Sequence, residues 1–155
     1  MTSSIAINFT KIHPEAVTPA YKTDGSACMD ISCVFLPPFD RTDALTLRPG
    51  DSAIFSTGLK FAVPKGYVME IHSRSGHGFD HDVSLSNGTG EIDSDYRGEI
   101  MVKLINKSKY RDCKIKHLER IAQFKLVPVP RMVLTEVQEL DTTERGENGL
   151  GSTGK

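Results

Sequence analysis

No stretch of this chain is apolar for long enough to span a membrane as a helix, and Met1–Thr10 lacks the basic-then-apolar pattern of a secretory signal. Both absences predict a protein that stays where it is made: the cytoplasm, or the nucleus or host cytosol for a eukaryotic or viral source. Charge of one sign is missing too. Nineteen Lys and Arg against 20 Asp and Glu leave a formal net charge of −1, so nothing electrostatic points to a nucleic-acid or anionic-membrane partner. Cysteine is scarce. Cys28, Cys33 and Cys113 form no Cys-x-x-Cys pair and leave an odd count, which suits reduced thiols rather than a disulfide framework. Finally, no segment keeps a 3.6-residue apolar stripe for three turns.

What is present instead is alternation. Ile5, Ile7 and Phe9 alternate, as do Tyr67, Met69 and Ile71, then Ile100, Val102 and Leu104, then Ala122, Phe124 and Leu126. Turn residues punctuate these runs at Pro37-Pro38, Arg48-Pro49-Gly50-Asp51, Pro64-Lys65-Gly66 and Asn87-Gly88. Many short strands in one domain of 155 residues predict an all-β sandwich, jelly roll or barrel, with at most a turn or two of helix after Ser73. Beyond Leu140 the character changes. Residues 141–155 hold one large apolar residue, Leu150, among glycines, hydroxyls and charges, so a β-rich domain over 1–140 is expected to end in a mobile arm over 141–155.

The most informative stretch is Gly90-Glu91-Ile92-Asp93-Ser94-Asp95-Tyr96-Arg97-Gly98. If it is extended, Asp93 and Asp95 share one face, and carboxylates so close repel unless something uses or compensates them. One could activate a water as general base while the Tyr96 ring packs against a ligand. A charged hairpin tip is the plain alternative. Ser73-Arg74-Ser75-Gly76 combines a capping serine, a forked donor suited to phosphate and a glycine that permits close approach. His72, His77 and His81 match no standard zinc spacing and read as a polar loop. Gly149–Lys155 fits half of a P-loop but lacks its final hydroxyl residue and its helix, leaving only a composition suited to wrapping phosphate.

In order, five segments resemble one family, the trimeric deoxyuridine triphosphatases. They are Gly25-Ser26-Ala27-Cys28-Met29-Asp30-Ile31, then Ser73–Gly76, then Asn87–Gly98, then Glu119-Arg120-Ile121-Ala122-Gln123, then Arg145–Gly154. Ser56-Thr57-Gly58-Leu59 is similar to the family as well, and the likeness runs essentially end to end. Leu150 stands where relatives usually carry an aromatic, Asn148 and Leu118 where they carry glycine, and Ser73 where proline is common. None of these removes a group that does chemistry.

The resemblance implies a jelly-roll-like homotrimer that cleaves dUTP to dUMP and pyrophosphate by water attack at the α-phosphate. It implies that Asp93 orients and deprotonates the water and holds the 3′-hydroxyl, and that Tyr96 packs where a 2′-hydroxyl would project. The hairpin carrying Asn87, Gly90, Glu91 and Ile92 would read the uracil edge, with Met101 lining the pocket. Arg74, Ser75, Gly76 and Gln123 would hold phosphates, and Asp30 the water shell of a Mg²⁺ chelated mainly by the triphosphate. Arg145, Leu150, Gly151, Ser152 and Thr153 would belong to the closing arm, with each site drawing on three chains. Two rivals stand beside this reading: a dCTP deaminase of the same fold, and a non-catalytic nucleotide-sensing or partner-binding protein on the scaffold.

Overall fold

The computed structural model describes residues 4–38 and 44–149. Eleven strands and one helix follow in chain order among them: β1 (Asn8–Lys11), β2 (Met29–Ser32), β3 (Ala44–Leu47), β4 (Ser52–Ser56), β5 (Leu59–Ala62), β6 (Tyr67–His72), α1 (Ser75–His81), β7 (Val83–Leu85), β8 (Gly90–Ile92), β9 (Met101–Asn106), β10 (Cys113–Lys116) and β11 (Arg120–Pro128). The expected all-β architecture is found, and the helix sits where one was allowed. Among the described residues no helix is long and apolar enough to cross a membrane.

Every strand pairing among the described residues is antiparallel, in sheets ordered β2-β11-β6-β8, β4-β9-β7, β1-β5 and β10-β3. Strand β9 follows the period-2 rule closely: Val102 and Leu104 are buried while Met101 and Lys103 face out, and Ile100 just before it is fully buried. These side chains meet Ile31, Leu47, Leu59, Met69, Ile115 and Ile121 in a single core. Two runs behave differently. Strand β1 is exposed along its length, and Phe9 covers only one face by stacking on Phe61 at 5.9 Å between centroids. In β6 both Val68 and Met69 are buried, so simple alternation fails inside the four-stranded sheet.

The Thr57-Gly58 corner fixes where the third motif leaves the sheet. Thr57 donates to the carbonyl of Ile100 at 2.6 Å, and Gly58 N–H donates to Glu99 Oε1 at 2.8 Å. Gly58 has φ +70°, and a β-carbon there would sit 2.8 Å from that of Ala16, so only glycine fits. Strand β11 ends at Pro128. From Val129 onward the described chain has no strand or helix, and Met132, Val133, Leu134 and Leu140 are almost fully exposed.

Candidate active site

Three strands bring polar groups into one row. Central strand β11 pairs Gln123 with Asp30 of β2 on one side and with His72 of β6 on the other. Arg74, just beyond β6, sends Nε to Asp30 Oδ1 at 3.0 Å and a terminal nitrogen to the carbonyl of Arg120 at 2.9 Å. Arg120 in turn reaches Asp30 Oδ2 at 2.7 Å. One carboxylate thus holds two guanidiniums together, and Gln123 braces the same loop by donating to the carbonyl of Ser73 at 2.9 Å. Regular alternation would put Arg120 and Gln123 on opposite faces of β11. A bulge between Arg120 and Ala122 lets Ile121 and Ala122 both turn inward, so the two polar side chains converge. Arg120 lies within the fourth motif, but sequence reasoning did not single it out as a site residue, because nothing local signals the bulge.

Ser73 does not cap α1. Its hydroxyl accepts from Leu85 N–H at 2.9 Å, tying the loop to β7, while Arg74 takes the N-cap position in an extended conformation without a side-chain cap. Ser75 and Gly76 follow as exposed residues of the first turn.

The third motif is a hairpin and then a turn. Asn87 donates from its amide to the carbonyl of Thr89 at 3.0 Å, and β8 pairs Gly90 with Ile71, Glu91 with Glu70 and Ile92 with Met69. Strand β8 ends its sheet, so one backbone edge is left without a strand partner among the described residues. The strand stops at Ile92. Tyr96 N–H closes a turn onto the carbonyl of Asp93 at 3.2 Å, and Arg97 locks it through the carbonyls of Ser94 and Tyr96. Asp93 and Asp95 therefore do not share a strand face, as extension would have required. Asp93 lines a 220 Å³ cleft with Glu91, Ile92, Tyr96, Glu99 and Met101, from which Asp95 is absent, and both carboxylates border a second cleft of 420 Å³ that Glu70, Glu91 and Arg131 also line. Tyr96 donates to the carbonyl of Glu99 at 2.9 Å, and its ring lies so close over Gly98 that no β-carbon fits beneath it.

The predicted residues thus gather into two groups. Asp30 and Arg74 are joined by a hydrogen bond, Gln123 holds the carbonyl of Ser73 beside them, Ser75 and Gly76 are next in sequence, and none of the five lines the 220 Å³ cleft. Glu91, Ile92, Asp93, Tyr96 and Met101 do line it, with Asn87 and Gly90 in the hairpin behind. Arg145 joins neither: its guanidinium hydrogen-bonds the carbonyls of Asn148 and Gly149. Leu150, Gly151, Ser152 and Thr153 lie outside the described residues. The three histidines are not a loop: His72 ends β6 against Glu70 at 3.0 Å, and His77 and His81 lie in α1. No set of three or more His, Cys, Asp or Glu converges as a metal cage among the described residues.

The dUTPase family model matches residues 15–154. The deoxyuridine 5'-triphosphate nucleotidohydrolase of Nautilia profundicola is 42% identical, over 96% of this chain and 99% of its own. The Staphylococcus bacteriophage 80alpha dUTPase with dUpNHpp is 25% identical, with a TM-score of 0.82 over 98% of this chain and 100% of that one. The fold also matches a mutant dUTPase from phage phi11 of S. aureus, solved with a structural Mg(II) ion, with a TM-score of 0.74 at 21% identity over 87% of this chain and 98% of that one. Five motifs in order, an all-β fold and these matches lead to one conclusion: the chain belongs to the dUTPase family.

Proposed function

We propose that this protein hydrolyses dUTP to dUMP and pyrophosphate by water attack at the α-phosphate, limiting uracil in DNA and supplying a thymidylate precursor. What supports the reading is that Ile92, Asp93, Tyr96 and Met101 line one small cleft beside the free edge of β8. An edge strand offers backbone donors and acceptors, and Asn87, Gly90, Glu91 and Ile92 present them to the uracil edge, with Met101 on the cleft wall. The ring of Tyr96, held by Glu99 and fitted over Gly98, stands against the sugar and excludes a 2′-hydroxyl by shape. Asp93 takes the proton of the attacking water.

The triphosphate falls to Arg74, Ser75, Gly76 and Gln123, with Arg120 beside them. Asp30 suits a Mg²⁺ held by the triphosphate rather than by a protein cage. Each of its oxygens receives one guanidinium N–H and keeps a lone pair for a metal-bound water, and Mg²⁺ retains waters and favours one carboxylate plus phosphates. When bound, the ion neutralises phosphate charge. Residues 141–155 form the closing arm, in which Arg145, Ser152 and Thr153 meet the γ-phosphate, Gly151 lets the backbone approach and Leu150 covers the base. The protein works as a homotrimer, each cleft completed by neighbouring chains, in the compartment where it is made. Incubation with Mg²⁺ and dUTP, UTP, dTTP or dCTP tests the reading: pyrophosphate from dUTP alone is expected. Ammonia from dCTP would make it a deaminase, and no reaction would make it a binding protein.

A further inference from the structure

Helix α1 has a single buried residue, and it is a histidine. A seven-residue helix with two internal glycines does not hold itself together, so its position depends on what it is tied to. His77 Nε2 lies 2.9 Å from Glu119 Oε1, while His77 Nδ1 is buried with no hydrogen-bond partner. The other oxygen of Glu119 accepts from Lys116 N–H at 2.8 Å, and its backbone is clamped to Cys33, which donates N–H to the Glu119 carbonyl at 2.9 Å. Glu119 therefore belongs to a fixed turn leading into Arg120. His77 lies three residues along the chain from Arg74, the N-cap residue from which α1 starts. The two guanidiniums that meet on Asp30 are thus each one short step from the His77–Glu119 contact.

We propose that His77 and Glu119 are a positioning pair: their contact sets the spacing of Arg74 and Arg120, and through it the affinity for a triphosphate. Neither residue touches substrate. This rests on the reading of Arg74 and Arg120 as triphosphate contacts. The experiment compares binding of dUpNHpp, the non-hydrolysable analogue, with binding of dUMP, which lacks the outer phosphates. His77→Leu and Glu119→Ala should each weaken dUpNHpp about tenfold and dUMP by less than about twofold, and the double variant should be no worse than the poorer single one. His77→Gln, which carries an N–H donor to the same place, should restore dUpNHpp binding to within about threefold of wild type. Should His77→Leu fail to fold, His77→Asn, too short to reach Glu119, takes its place under the same criteria. Unchanged dUpNHpp affinity, or equal losses for both ligands with His77→Gln no better, would overturn the pair's role alone. A wild-type protein that ignores dUpNHpp would overturn the triphosphate reading with it.

Discussion

An amide of the same shape as a carboxylate can still hydrogen-bond, but it cannot accept a proton from water. Asp93→Asn should therefore leave folding and dUpNHpp binding near wild type and lower turnover by about 10² to 10⁴-fold. Turnover within about tenfold of wild type would move the base elsewhere. Leu118 poses a different question. It sits at φ +61°, where L-residues are strained, and it is 38% exposed. Leu118→Gly should raise stability on the order of 1 kcal/mol, read from a denaturant melt. A loss of stability would mean that its packing outweighs the backbone strain.

Strand β2 runs into Cys33 and strand β10 begins at Cys113, and both thiols are buried. Burial pushes the Cys33 thiol up to about 12 from an ordinary value of 9.0, and raises Cys113 in the same direction. In the unfolded chain these protons leave near the ordinary value, and the folded chain keeps them. Their contribution to stability is thus complete below about pH 9 and lost as pH rises toward 12. Thermal melts should show a steep alkaline fall over that window, softened in Cys33→Ala. At pH 8 only half-buried Cys28 should react quickly with a thiol reagent. The last segment supplies a further test. Deleting Arg145–Lys155 removes one large apolar residue, Leu150, so the melting temperature should barely move while turnover collapses. Full activity in the truncated protein would make this an ordinary chain end.

At the scale of the whole molecule, much was legible in one dimension. Alternation located the core face of β9, glycine and proline located the turns, and the third motif singled out Asp93 and Tyr96, which line one cleft. What stayed hidden needed the third dimension. Nothing local announces a bulge in β11, so the spacing of Arg120 and Gln123 did not show that their side chains converge. The turn after Ile92 could not be told from continued strand, so Asp93 and Asp95 read as a pair. A buried His77 looks like any polar loop residue until the neighbouring turn brings Glu119 to it. The described chain also leaves Ile54, Met101, Met132, Val133, Leu134 and Leu140 largely exposed, apolar side chains suited to cover by neighbouring chains. Light scattering on an active sample should accordingly give three chain masses, and one chain mass would refute the shared site.

Hydrolysis of dUTP in H₂¹⁸O tests the central claim most directly, because the label marks the phosphorus that water attacks. Mass spectrometry should find one ¹⁸O in the phosphate of dUMP and none in pyrophosphate, and Asp93→Asn should form that product far more slowly. Label in the pyrophosphate, or no pyrophosphate from dUTP at all, would contradict attack at the α-phosphate by a water that Asp93 activates.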